Sequence, residues 1–166
     1  MDDFRKKFDA AVAPFLPRVS FKKFTASEAL SEETLAFHAI VLWDGAPLAN
    51  ASNDGHGGEP RLWPLHGQAA RLREAEAAVW AKAAGLHIGL DAVVDAAAER
   101  HRAAAQMARW CKTTIVFDVG AGRFYKVKHP VLAALFRTDR AAAAKELAKL
   151  LAPPSMAKLR NLPCLN

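Results

Sequence analysis

The sequence predicts an α+β fold: a single domain over residues 1–166 in which an antiparallel sheet of about five strands, arranged as two hairpins, packs with helices. Strand-like alternation occurs in two separate stretches, and turn residues divide each of them. Helical periodicity precedes, separates and follows these stretches without a regular βαβ alternation. The length of 166 residues suits one domain built around one core.

A short amphipathic helix is expected at the start of the chain, over about residues 3–13. Phe4, Phe8 and Val12 recur at helical spacing among charged residues. Pro14 cannot continue the hydrogen bonding of a helix, so we expect the helix to end before it. Its apolar side should pack on the core.

The first group of strands surrounds an Asp44-Gly45 turn. Alternating apolar residues predict one strand from residue 19 to about 26 and another over 35–43. Asp-Gly is a favoured dipeptide in two-residue hairpin turns, so a returning strand is expected over 46–53. Residues 53–58 are too rich in types that favour positive φ to continue that strand.

Two helices are predicted between the hairpins. Residues 67–84 carry apolar residues on one side, and Gly85 is expected to end the helix. A second helix begins at Asp91, which can cap it, and continues to Trp110. One side of this helix is a stripe of small residues, which predicts close packing against a neighbour. The stripe comprises Val93, Val94, Ala97, Ala98, His101, Ala104, Ala105 and Ala108.

The second hairpin lies in the last third of the chain. Residues 113–119 are β-branched and apolar, and residues 123–128 alternate after a glycine-containing turn. A helical segment is expected from Pro130, and a final helix is capped by Asp139. A tail over about residues 153–166 follows the last helix.

Composition excludes several classes of protein. With 52% hydrophobic and 24% charged residues, the chain is an ordinary globular protein. Acidic residues near its start and the lack of a long apolar run argue against a signal peptide and a membrane span. Cys111 and Cys164 show neither metal-ligand spacing nor a disulfide framework. We therefore expect a cytoplasmic protein that does not bind membranes.

Charge is distributed unevenly along the chain. Residues 1–99 contain 10 basic and 14 acidic side chains, whereas residues 100–166 contain 13 basic and 3 acidic side chains, so the net charges are −4 and +10. A basic half can attract nucleic acid, an acidic protein or a phosphorylated ligand, although a solvated basic face explains it equally well. The candidate contacts are Arg123, Lys126 and Lys128 on the second hairpin and Lys145 and Lys149 on the final helix.

Polar residues are expected to gather at the open end of the first hairpin. With a two-residue turn, Val41 faces Leu48 and Glu33 faces His56, and a four-residue loop moves each partner by two residues. In both registers residues 31–34 lie beside residues 53–58. The candidate site residues there are Glu32, Glu33, Asn53, Asp54 and His56.

This polar group allows four interpretations. Carboxylates and an imidazole could hold a divalent metal that activates water for hydrolysis. The glycine loop could instead contact a phosphate, or the group could form part of a protein-binding surface. Asn, Asp and Gly also end strands for purely architectural reasons. No cofactor, resident metal or catalytic residue is specified by the pattern.

The four tryptophans are candidates for stacking on nucleic-acid bases. Each one occupies an apolar periodic position or lies beside a proline, which favours packing in the core. His38, which alternates within a half-buried strand, is likewise expected to be a structural residue rather than a ligand.

Several short motifs support a resemblance over about residues 19–60. Ser31-Glu32-Glu33-Thr34, Asp44-Gly45 and Asn53-Asp54-Gly55-His56-Gly57-Gly58 together resemble a set of uncharacterised small bacterial and phage proteins found with mobile elements. The resemblance implies a non-enzymatic accessory protein, such as an inhibitor that binds a host defence or effector complex. The alternatives are a metal-dependent hydrolase or nuclease that uses the acidic and histidine loop, and a basic nucleic-acid-binding protein with weak, non-specific affinity.

Overall fold

A computed structural model describes residues 2–83, 86–118, 124–150 and 160–161. It confirms the predicted α+β class, with helices and antiparallel sheets. The chain packs as two compact units, residues 1–102 and 103–166, and the prediction of one domain over 1–166 stays a prediction. The expected helix end at Gly85, the glycine turn of the second hairpin and the tail, apart from residues 160–161, lie outside the described residues.

The first unit contains a four-stranded sheet and the helices that pack on it. Its first helix begins one residue earlier than expected, and its first three strands lie within one residue of their predicted bounds. A short fourth strand over Arg61–Pro64 was not predicted, because four residues are too few to show an alternation. The elements are α1 Asp2–Val12, β1 Val19–Ser27, β2 Ala36–Trp43, β3 Ala46–Asn53, β4 Arg61–Pro64, α2 Ala69–Lys82 and α3 Leu90–Trp110, which continues into the second unit.

The first hairpin turns at Asp44 and Gly45, as predicted. Both residues have positive φ, 51° and 78°, which is the geometry that makes Asp-Gly a favoured turn. Near the turn Trp43 pairs with Ala46, but a bulge follows and Val41 pairs with Ala49. Neither predicted register therefore holds beyond the bulge. The extra residue is Leu48, which is fully buried and whose carbonyl accepts the N–H of Leu65 at 3.0 Å.

The strands of the first unit are ordered β1-β2-β3-β4, and every pair is antiparallel. One face of the sheet packs against α1, α2 and α3 around a single apolar core. The most completely buried side chains of this core are Leu48, Leu90, Val12, Val41, Val79, Val93 and Val94.

The small-residue stripe of α3 is only half buried. Val93, Val94, Ala97 and Ala98 lie in the core. The ring of His101 is exposed in part but lies against Phe21 and Phe24, with ring centroids 5.6 and 4.6 Å away. Ala104, Ala105 and Ala108 are exposed, so the prediction of close packing is wrong for these three residues. The spacing was read correctly, but periodicity does not reveal how far along a helix its neighbours extend.

The second unit contains its own sheet and apolar cluster. The predicted hairpin is present as β5 (Thr114–Asp118) and β6 (Phe124–Lys128), and β7 (Arg160–Asn161) joins it in a sheet ordered β6-β5-β7. The described strands are therefore divided between two sheets. Ile115, from the sheet, packs with side chains from both helices, including Leu132, Phe136 and Leu147. The elements are β5 Thr114–Asp118, β6 Phe124–Lys128, α4 Pro130–Thr138, α5 Arg140–Leu150 and β7 Arg160–Asn161.

Cysteine usage differs from the sequence-based expectation. Cys111 is buried and disulfide-bonded, whereas the spacing of the cysteines predicted no disulfide. Disulfides persist mainly in oxidising compartments, so the expected cytoplasmic location loses the support taken from cysteine usage and stays a prediction. In the part of the chain that the structure describes, no helix is long and apolar enough to cross a membrane.

Candidate functional site

The open end of the first hairpin brings together the two polar segments that the sequence predicted to meet. The carbonyl of Gly55 accepts the backbone N–H groups of Glu32, Glu33 and Thr34 at 3.0, 2.9 and 3.3 Å. His56 Nδ1 lies 3.2 Å from Oε2 of Glu32, and the carboxylate of Glu33 lies against Gly57. The expected proximity of the two segments, with Glu33 beside the loop, is confirmed. The ladder between the two strands ends at Phe37 and Asn53, before Glu33 and His56.

Asn53 holds this end of the hairpin together. Among the described residues it is the only buried polar or charged side chain, at 8% exposure. Its Oδ1 accepts hydrogen bonds from Thr34 Oγ1 at 3.0 Å and from the N–H of Gly55 at 2.9 Å, and its Nδ2 donates to the carbonyl of Gly58 at 3.1 Å. A buried amide with these partners is an architectural residue.

The loop also uses its own backbone donors. The N–H of His56 donates to Asp54 Oδ1 at 3.3 Å, and the N–H of Gly57 donates to Thr34 Oγ1 at 3.3 Å. Together with the N–H of Gly55, three successive donors are directed into the loop, so they do not form a concave site for phosphate. The outward side chains of Glu32, Asp54 and His56 are exposed.

Metal-ligating side chains are not grouped in the described ranges. No set of three His, Cys, Asp or Glu side chains among those residues lies in an arrangement that could hold a metal ion. The contact between His56 and Glu32 supplies two such groups. The metal-dependent hydrolase therefore gains no support from the geometry of the loop.

An acidic group that the sequence reasoning missed lies beside the loop. A hydrogen bond with Asp91, partial burial and repulsion from Asp91 and Asp95 raise the pKa of Glu59 to about 7. Burial, and then the charge of Glu99, raise the pKa of Asp95, while the amide of Asn53 opposes that rise. The sequence does contain a pattern for this acidic group, because residues 91, 95 and 99 are spaced for one face of a helix. The prediction for α3 considered only its apolar residues.

A more extensive polar surface covers the side of the first sheet opposite the core. Strand register places two rows of side chains across all four strands of this side, and we call these eight residues the outer face. Because side chains alternate along a strand, residues of one row point the same way. One row is Lys22, Ile40, Asn50 and Trp63, and the other is Thr25, His38, Ser52 and Arg61.

The outer face is accessible and contains no acidic residue. Lys22, His38, Arg61 and Trp63 are exposed, the last at 47%. Ile40, Asn50 and Ser52 are half-buried by their neighbours in the sheet. His38 is therefore on the exposed side of its half-buried strand, and its expected structural role stays a prediction.

The tryptophans do not share one role. Trp43 is buried, as predicted, and stacks on Phe15 with ring centroids 6.3 Å apart. Trp63 and Trp80 are 47% and 51% exposed, so core packing is the wrong prediction for both. Trp63 was misassigned because β4 was not recognised, and Trp80 lies on α2 with its ring against His87 at 5.8 Å.

The candidate basic contacts of the second unit stay a prediction, and the structure describes the side chains of three of the five. Lys126, Lys128 and Lys145 are exposed. Lys126 and Lys128 lie on one side of β6, the edge strand of its sheet, and Lys126 Nζ lies 3.4 Å from the ring centroid of Trp110. Arg123 and the side chain of Lys149 lie outside the described residues.

The first unit is thus an antiparallel sheet with helices on one side and an accessible polar side that carries an aromatic ring and two cations. Comparisons with protein-family models, with curated proteins and with solved structures find no match to this chain. Function is therefore inferred from the geometry of the outer face and the hairpin end.

Proposed function

We propose that this is a non-catalytic binding protein and that the outer face binds single-stranded nucleic acid. The observation that carries the proposal is the pair of rows crossing four strands, in which Trp63 and His38 are exposed and no side chain is acidic. A surface of this composition favours a polyanion that also offers flat, apolar faces. Unpaired bases on a phosphate backbone have both properties.

Aromatic stacking supplies the first part of the interaction. Trp63 lies on β4, which is an edge strand, so its ring is approached from solvent. Stacking of a base on an aromatic side chain contributes about 1–3 kcal/mol and is nearly independent of sequence. His38 lies in the adjacent row on β2 and offers a second, smaller ring.

Cations at the two edges of the sheet supply the second part. Lys22 lies on β1 and Arg61 on β4, so three interstrand spacings of about 4.8 Å separate their backbones by about 14 Å. Asn50, Ser52 and Thr25 lie between and beside them with groups that donate and accept hydrogen bonds. Four-stranded sheets in RNA-binding modules likewise use exposed aromatic side chains to stack on bases.

A protein partner is the alternative from a different class. The hypothesis that the protein inhibits a host defence complex rests on the resemblance to mobile-element proteins. The exposed Lys126 and Lys128 on β6 would attract an acidic protein partner. The gene's neighbours test this prediction, because phage or defence genes beside it would support an anti-defence role.

Binding of a labelled oligonucleotide tests the proposal. We expect a fluorescein-labelled single-stranded 12-mer of thymidine to bind the protein at low salt and to bind more tightly than a duplex of the same length. Trp63→Ala should weaken binding about 5-fold to 150-fold, the equivalent of 1–3 kcal/mol.

Trp80→Ala is the matched control, since Trp80 is equally exposed but lies on α2. Its affinity should equal that of the unmodified protein. Equal losses in the two variants, or no preference for the single strand, would contradict the proposal.

A further inference from the structure

The two aromatic rings of the outer face lie on different strands. Trp63 on β4 pairs with Asn50 on β3, and Asn50 pairs with Ile40 on β2. His38 precedes Ile40 by two residues on β2 and therefore points to the same side of the sheet. Both His38 and Trp63 are exposed, so both rings are open to a ligand.

Strand register sets how far apart the two rings are. Two interstrand spacings of about 4.8 Å, and two residues of about 3.4 Å each along β2, place Trp63 and His38 about 12 Å apart. Because side chains stand roughly perpendicular to a sheet, the rings keep about this separation. One base held between two rings would need them only about 6.8 Å apart, which is twice the base spacing of about 3.4 Å in a stacked strand. Trp63 and His38 must therefore stack on two different bases.

Stacking at both rings disrupts the strand's own stack of bases. A base that lies on a protein ring has given up the neighbouring base on that face, so two rings break at least two base–base contacts. The side chains between the rings, those of Ile40, Asn50 and Ser52, are not aromatic and cannot replace those contacts. A strand therefore binds most readily when its base–base contacts are weak.

We propose, on the basis of the function proposed above, that the outer face selects weakly stacked, pyrimidine-rich single strands over purine-rich ones. Stacking on aromatic side chains is sequence-tolerant, because every base has a flat face. The gain at Trp63 and His38 is therefore similar for all bases, whereas the loss of base–base contact is larger for the broad rings of adenine than for thymine. Preferences of single-strand binders for pyrimidine runs come from stacking strength and backbone flexibility.

Two strands of equal length and charge test this preference: fluorescein-labelled single-stranded 12-mers of thymidine and of deoxyadenosine. Fluorescence anisotropy with the full chain at low salt should give a dissociation constant at least about threefold lower for the thymidine strand. A smaller ratio, or tighter binding of the deoxyadenosine strand, would overturn the inference while leaving single-strand binding intact. Failure of both strands to bind would refute the proposed function, and this inference with it.

His38→Ala tests whether the preference comes from two rings. With Trp63 alone, fewer base–base contacts are broken, so the ratio of the two dissociation constants should move toward one. Lys22→Ala is the matched control, because Lys22 is exposed on the same face and offers a charge but no ring. It should weaken binding of both strands by the same factor and leave the ratio unchanged. An unchanged ratio in His38→Ala, or an equal change of the ratio in Lys22→Ala, would overturn the assignment of the preference to the two rings.

Discussion

Replacing Asn53 by alanine should destabilise the protein far more than replacing its neighbour Asp54. Asn53→Ala removes three hydrogen bonds, those with Thr34 Oγ1, the N–H of Gly55 and the carbonyl of Gly58. Because Gly55 is buried, its N–H is left without water as a substitute. Each bond contributes about 1 kcal/mol, so we expect the free energy of unfolding to fall by about 3 kcal/mol.

Asp54→Ala is the matched control on the next residue. Asp54 is exposed and accepts one hydrogen bond, from the N–H of His56 at 3.3 Å. Exposed substitutions of this kind usually change stability by less than about 0.5 kcal/mol. The two variants should therefore differ by roughly 2.5 kcal/mol in the free energy of unfolding.

Urea unfolding followed by far-ultraviolet circular dichroism measures this difference. The midpoint for Asn53→Ala should shift to clearly lower urea, and that for Asp54→Ala should stay near the unmodified value. Equal and small shifts would refute the conclusion that the polar residues at the hairpin end are architectural. They would return the loop to consideration as a ligand site.

Three further outcomes are expected. Gly55→Ala should destabilise the fold severely in the same unfolding assay, because φ is 91° and a Cβ there would collide with a main-chain carbonyl. Gly45→Ala should lower the free energy of unfolding much less, because φ is 78° but the space around Gly45 is open. The pKa of Glu59 is raised to about 7 in the folded state, so the folded protein holds more protons than the unfolded chain between about pH 4.5 and 7. The free energy of unfolding should therefore fall as pH rises through that window. Glu59→Gln should flatten this pH dependence, and an unchanged slope would contradict the assignment to Glu59. Charge reversal at Lys126 and Lys128 should reduce the salt dependence of oligonucleotide binding if the second unit adds contacts to phosphate, and an unaltered slope would exclude those two side chains from the contact.

The sequence predicted those parts of the first unit that depend on local chemistry. Asp44 and Gly45 form the expected turn because their positive φ values follow from residue type alone. The register beyond the turn was not predictable in this way. It depends on the bulge at Leu48, which is stabilised by burial and by the N–H of Leu65, a residue 17 positions away in the sequence.

The candidate surface was missed for a related reason. Alternation within one strand sorts its residues onto the two sides of the sheet. It does not show which side the helices cover and which side stays exposed. Trp63 lies on a strand too short to recognise, so its exposure could not be deduced. The same limit applies to His38, whose strand was predicted correctly and whose exposure the sequence left open.

Asp95 shows a different limit. Its spacing from Asp91 on α3 was visible in the sequence, but the carboxylate matters because it lies beside Asn53 and Glu59 from a distant part of the chain. Asn53 and Glu59 precede Asp95 and Asp91 by more than 30 positions, so their meeting depends on the tertiary fold.

Side-chain indole resonances of the four tryptophans give the most direct test of nucleic-acid binding at the outer face. In a ¹⁵N-labelled sample titrated with the single-stranded 12-mer, the indole N–H of Trp63 should shift, together with the backbone amides of Lys22 and His38. The indole N–H of Trp80, which is equally exposed, should stay in place. A shift of Trp80 without Trp63, or shifts confined to residues of the second unit, would contradict the account.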